Sequence, residues 1–201
     1  NYDGMLNKTR DLEELVTKKM IGKSYYGHIL ELGCGTGKNT KWLIEKCDSL
    51  MALDFSEEMM KMAKQKITSD KVTFKQQDLT QDWRLVPNSF DLIICSLVLE
   101  HIEGLNAIFE KASEVLKKEG QFYICELHPF KQYAGSKARF DNGSEIQELE
   151  VYTHHISEYL TVAENNHLHL IELKEWFDED DKSKIPRLIA FRFKKNIHKN
   201  F

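Results

Sequence analysis

Residues 28–43, HILELGCGTGKNTKWL, constrain this chain more than any other stretch. The apolar run from Ile29 to Leu32 reads as a buried strand. It meets three glycines at alternate positions, Gly33, Gly35 and Gly37, and a helical pattern follows, with Trp42, Leu43 and Cys47 on one side. In a strand, glycine turn and helix the backbone can approach a ligand closely, and N–H groups at the helix start can point at it. The missing Cβ atoms permit positive φ in the turn and leave room for a nucleoside-sized group. A merely flexible turn would not require the strand and helix on either side.

The 201 residues suit a single domain, 1–201, with a full-sized core. With 41% hydrophobic and 30% charged residues the composition is that of an ordinary soluble globular protein. A net charge of -4 supplies no basic footprint, which argues against a nucleic-acid partner. No run approaches the roughly 18 apolar residues of a membrane span, and no signal peptide is recognisable. The chain opens at Asn1 rather than Met, so residues upstream of it are expected. Four scattered cysteines, Cys34, Cys47, Cys95 and Cys125, read as reduced, buried thiols of a cytoplasmic protein. No zinc site is visible: His154-His155 and His167-x-His169 lack a matching cysteine or carboxylate pattern.

Residues 5–21 have the spacing of an amphipathic helix. Strands are expected at 29–32, 49–53, 72–75, 90–96 and 121–127. The helix after the glycines should run to about Lys46, another should start at Ser56, and a third should span 105–118, stopped by Gly120 as a left-handed residue. The nearly continuous apolar run at 90–96 indicates burial on both faces, hence a parallel sheet covered by helices. This alternation specifies a doubly wound α/β fold, in which ligands bind beyond the carboxyl ends of the strands. Asp54, Asp78, Ser96 and His128 each follow an apolar strand and fall at that edge. Residues 129–150 lack periodicity, and 128–165 reads as a lid or substrate-binding insertion. A helix at 152–163 and strands at 167–176 and 188–193 follow, the last two as an antiparallel hairpin at the sheet edge.

Taken in order, these residues resemble the class I S-adenosylmethionine-dependent methyltransferases, nearest the small-molecule type of quinone and biotin pathways. The resemblance rests on Glu31 to Gly37, Asp54 to Met59, Gln77-Asp78-Leu79, Phe90 to Ser96 with Leu99-Glu100-His101-Ile102, and Leu116 to Gln121. It spans residues 28–127 and implies a mostly parallel seven-stranded, Rossmann-like sheet. Asn1-Tyr2-Asp3 is similar to a Tyr-Asp pair that precedes the first motif in that family, where a helix helps close the site; here that helix is expected to be mostly missing.

The resemblance implies S-adenosyl-L-methionine as cofactor. Gly33, Gly35 and Gly37, with Cys34 between them, would cradle its methionine part, and Glu31 would anchor that loop. Asp54, with Phe55 and Met59 nearby, would take the ribose hydroxyls, which a carboxylate's two oxygens can both accept. Asp78 would take the adenine amine, with Leu79 beside the ring and Ser96 near the sulfonium. It implies in-line transfer of a methyl group to N, O or C of a small-molecule acceptor. His101 and His128 are the candidate proton acceptors. Tyr2, Tyr133 and Tyr152 are candidate substrate contacts, with Lys137, Arg139 and His155 behind them. Two other readings stay open: a non-catalytic cofactor-binding partner subunit, and an NAD-dependent dehydrogenase. Against the latter, the dinucleotide fingerprint needs its third glycine where Lys38 stands.

Overall fold

The apolar runs of the sequence become the middle of one sheet. The computed structural model describes residues 7–135, 139–141, 146–148 and 150–196, without the side chains of 139–148. Helix α1 (Lys8–Ile21) precedes β1 (Tyr26–Leu32), α2 (Thr40–Leu43), β2 (Cys47–Asp54), α3 (Glu57–Lys66), β3 (Val72–Gln76) and β4 (Phe90–Ser96). Then come α4 (Asn106–Val115), β5 (Leu116–Leu127), α5 (Pro129–Tyr133), a two-stranded hairpin of β6 (Arg139–Asp141) and β7 (Ile146–Glu148), and α6 (Ile156–Asn165). The chain closes with β8 (Leu168–Trp176) and β9 (Leu188–Lys195).

Seven strands form the main sheet in the order β3-β2-β1-β4-β5-β9-β8. The first five are parallel, and β9 lies antiparallel between β5 and β8. Burial on both faces explains the unbroken apolar runs. Along β4, Ile93 and Cys95 face a layer that contains Phe109 of α4 and Tyr159 of α6. Leu92 and Ile94 face the opposite layer, with Val16 and Met20 of α1 and Met60 of α3. Phe109 packs edge-on against Phe122 and Phe193, with ring centroids 5.3 and 5.7 Å apart. Each such buried ring contributes about 1.5–3 kcal/mol. The four cysteines are buried free thiols. No described helix is long and apolar enough to cross a membrane.

Several expected bounds shift for local reasons. The helix after the glycines is a single turn, Thr40–Leu43, continued by a 3-10 turn at Ile44–Lys46, and Cys47 already belongs to β2. Helix α4 stops at Val115 because Leu116 turns into extended backbone beside Phe90. The left-handed residue there is Glu119 (φ 65°) rather than Gly120. Gly120 is needed for space: a Cβ on it would lie 2.8 Å from the Lys117 carbonyl oxygen and 3.1 Å from that of Phe90. The insertion after His128 is not bare loop, since it holds α5 and the β6–β7 hairpin. Helix α6 starts at Ile156, four residues beyond the expected 152.

Candidate functional site

A cavity of about 940 Å³ lies across the carboxyl ends of β1 to β4. One side of it is the turn after β1. Gly33 and Cys34 both donate their N–H to the Leu53 carbonyl oxygen, at 2.8 and 2.9 Å, which fixes the turn to the end of β2. Gly33 (φ 71°) is also pressed against Val98, where a Cβ would come within 2.2 Å of Cγ2. Gly35 (φ 52°) lines the cavity, and only the Met59 sulfur, 3.8 Å away, lies within 4 Å of where its Cβ would be. Gly37 does not line the cavity. Its φ is 82°, and a Cβ would meet Ile67 Cδ1 at 2.7 Å and Ala63 Cβ at 3.0 Å, so its place is to let the turn pack on α3. The helix behind the turn is a single turn long, and the Gly33, Cys34, Gly35 and Gly37 amides are taken up by Leu53, Asp54 and Cys34.

Asp54 holds the same turn. Its Oδ2 accepts the Gly35 N–H at 2.6 Å, and its Oδ1 accepts that of Ser56 at 2.8 Å. Ser56 in turn caps α3 by accepting the Met59 N–H. Glu31 lies beneath, fully buried, accepting from Thr40 Oγ1 at 2.6 Å. Burial pushes its carboxyl up to about 8; the Thr40 bond opposes this, and the charges of Glu13 and Asp54 add to it. Phe55 and Met59 also face the cavity. At the end of β3, Asp78, Leu79 and Thr80 form another part of the wall. Asp78 Oδ1 accepts the Thr80 N–H and Oγ1–H at 2.9 and 2.7 Å, bonds that hold its carboxyl below the usual range. Asp78 is therefore both a turn residue and a lining residue.

The amphipathic helix expected over residues 5–21 is α1, and it borders the cavity. Asn7, Thr9, Arg10 and Glu13 line the cavity. Lys38 Nζ donates to the Arg10 carbonyl oxygen at 2.6 Å, and Arg187 Nη1 donates to Thr9 Oγ1 at 3.1 Å. Asn39 Nδ2 donates to Glu13 Oε1 at 2.9 Å. The N-terminal helix is thereby tied both to the glycine turn and to β9's leading loop.

Beyond β4 the chain bends sharply. Leu97 sits at φ 55°, a conformation unfavourable for a bulky residue and of a kind that clusters at functional sites. Its N–H donates to the Cys125 carbonyl oxygen at 2.9 Å. The next two amides, of Val98 and Leu99, both donate to Glu126 Oε1 at 3.0 Å. This bend carries Ser96, Val98, Glu100 and His101 to the cavity. The Ser96 hydroxyl is buried without a partner among the described residues. From the far side, the Tyr152 N–H donates to the Glu100 carbonyl oxygen at 2.7 Å, and the His154 ring Nε2 faces the Leu99 and Ile102 carbonyls at 3.2 and 2.8 Å.

His128 is not brought to this cavity, and its expected catalytic place is corrected. It is fully buried, its Nδ1 accepts the Phe130 N–H that starts α5, and its Nε2 lies 2.9 Å from Glu175 Oε1. Burial pushes its imidazole down, opposed by Glu175. Leu127 lines the cavity, and the chain turns away one residue later. Tyr133 and Tyr152 do not line it either: the Tyr133 hydroxyl bonds the exposed His155 ring, and Tyr152 contributes its backbone. Tyr2, Lys137 and the Arg139 side chain lie outside the described residues. Glu126 and Glu100 were not singled out from the sequence. Their signal was a carboxylate inside the apolar run YICEL, and another in a turn otherwise read for its histidine.

A sheet that departs from the dinucleotide order by inserting antiparallel β9, together with a glycine turn locked to an acid ending β2, defines a class I methyltransferase fold. Residues 30–124 match the profile of the methyltransferase domain family. Malonyl-[acyl-carrier protein] O-methyltransferase of Priestia megaterium is 31% identical over 127 residues, 58% of this chain and 46% of its own length. The chain spans about half or less of three curated relatives it matches, 49%, 46% and 36% of their lengths. An S-adenosylmethionine-dependent methyltransferase of Mesorhizobium loti has the same fold, with a TM-score of 0.78, 18% identity, and coverage of 97% of this chain and 100% of that one. N-methyltransferase NodS of Bradyrhizobium japonicum, in complex with S-adenosyl-L-homocysteine, shares it with a TM-score of 0.69 at 16% identity, covering 94% of this chain and 88% of that one.

Proposed function

We propose that the protein binds S-adenosyl-L-methionine across the carboxyl ends of β1 to β4 and transfers its methyl group to a small-molecule acceptor. The observation that carries this reading is the convergence on one cavity of the Gly33–Gly35 turn, Asp54, Asp78 and the unpartnered Ser96 hydroxyl. The residues present fit the cofactor. Gly35 leaves open space where a side chain would intrude, and Asp54 is already oriented by two backbone N–H bonds with further lone pairs for hydroxyls. Asp78 and Leu79 would hold the adenine end, and Asn7, Arg10 and Asn39 border the amino-acid end.

The bound sulfonium supplies an electrophilic methyl carbon. The chain's contribution is alignment at a near-attack distance of about 3–3.5 Å and removal of a proton where the acceptor atom carries one. His101 would serve for that. It lines the cavity, is partly exposed, and its Nε2 lies 4.0 Å from Glu100 Oε1. Val98, Ile102 and Leu127 would exclude water around the reacting atoms. The net charge of -4 favours a small acceptor over nucleic acid. Isothermal titration of the full chain with S-adenosyl-L-homocysteine tests the reading. Saturable one-to-one binding is expected, and its absence overturns it.

A further inference from the structure

Glu100 stands out in the acceptor end of the cavity because, among the described residues, no lysine or arginine balances its charge. Its side chain is 11% exposed and faces the cavity. The Gln132 amide reaches its Oε2 at 3.4 Å, and the His101 ring nitrogen lies 4.0 Å from its Oε1. Of the other cations that line the cavity, Arg187 is held by both oxygens of Asp178 and Lys38 pairs with Glu14 at 3.2 Å. A buried carboxylate costs free energy unless it is paired. Behind it, Glu126 contributes a second acid rather than a counter-charge.

The second observation is the Ser96 hydroxyl, buried without a partner among the described residues, on a residue that lines the same cavity. Around these two acceptors Val98, Ile102 and Leu127 are apolar. An anionic acceptor would meet Glu100 as a like charge, and a neutral one would leave it unpaired. A cation carrying N–H donors would satisfy both the carboxylate and the hydroxyl.

We propose that the methyl acceptor is an amine on an apolar body, arriving as an ammonium ion that Glu100 pairs with and Ser96 orients. The inference rests on the methyl-transfer reading above and narrows its acceptor class. Loss of one ammonium proton to His101 frees the nitrogen lone pair, which forms the N–C bond as the C–S bond breaks toward sulfur. The products are the methylated ammonium and S-adenosyl-L-homocysteine. Burial raises the Glu100 carboxyl from its ordinary value, the response expected of a site completed by a cationic ligand.

Three probes of one shape test this on the full chain loaded with S-adenosyl-L-homocysteine: benzylamine, benzyl alcohol and benzoate, titrated at pH 7. Benzylamine should bind about tenfold tighter than either other probe, a difference on the scale of one charged hydrogen bond. Glu100→Gln should remove that preference while binding of S-adenosyl-L-homocysteine, which reports a folded site, stays within about twofold. Equal affinity for the three probes, preference for benzoate, absence of benzylamine binding, or an unchanged preference in Glu100→Gln overturns the proposal. The preference in the unaltered protein decides the matter even if the variant misfolds. Failure of the protein to load S-adenosyl-L-homocysteine is a different result and overturns the methyl-transfer reading itself.

Discussion

Replacing Glu126 by glutamine should make the protein more stable in mild alkali and leave it nearly unchanged in mild acid. Glu126 is 2% exposed, with Oε1 accepting two N–H groups and Oε2 lacking a partner among the described residues. Burial, then the charge of Glu100, pushes its carboxyl from 4.5 up to about 8, against the pull of those N–H bonds. In the unfolded chain the same group titrates near its ordinary value. Between these two values the folded protein holds one proton more than the unfolded chain. Stability therefore falls as pH rises, by about 1.4 kcal/mol per unit, or roughly 5 kcal/mol across the window. Glutamine keeps an oxygen for the Val98 and Leu99 amides and has no proton to lose. Urea unfolding of both proteins from pH 4.5 to 8.5 should give curves that nearly coincide at the acid end. They should separate by about 2–4 kcal/mol at the alkaline end, with Glu126→Gln the more stable. Parallel curves would show that Glu126 is ionised in the folded protein and would refute the reasoning. Glu31, raised to about 8 as well, keeps some of the slope in both proteins.

Three further outcomes follow from the site. Gly33→Ala should destabilise by about 2–4 kcal/mol, from the positive φ and the overlap with Val98. Adding Val98→Ala should recover the steric part alone, as a urea double-mutant cycle would show. Asp54→Ala should weaken S-adenosyl-L-homocysteine binding by about 1.5–3 kcal/mol, the range for hydrogen bonds to a charged group, and titration giving the wild-type constant would exclude its place in the cavity. His128→Ala should lower thermal stability through loss of the α5 cap, about 0.5–2 kcal/mol. It should leave S-adenosyl-L-homocysteine affinity unchanged; a variant of full stability with impaired binding would put the imidazole in the site after all.

The central strands were legible because burial on both faces leaves no polar position to interrupt an apolar run. Asp54 and Asp78 were legible for the related reason that such runs end at the cavity. The same reasoning misplaced His128, since β5 reaches the cavity only to Leu127 and the next residue is drawn aside by the Arg187 carbonyl. Gly37 was read with its neighbours although its constraint comes from Ala63 and Ile67, contacts that spacing does not reveal. Insertion of β9 beside β5 is settled by pairing across the whole sheet, from Gln121 with Lys194 to Leu127 with Leu188. The strands of the hairpin after α5 are three residues each, too short to show alternation.

Asn7, Thr9, Arg10, Glu13, Leu127, Gly135 and Arg187 all border the cavity yet fall outside residues 30–124, the part shared with the methyltransferase domain family. A chain trimmed to that shared part would keep the glycine turn with Asp54 and Asp78 while standing open along one flank. Drift in the stretch beyond residue 124 can thus reshape that flank without altering the glycine turn or either acid, as long as the Lys38 and Arg187 ties to the first helix survive.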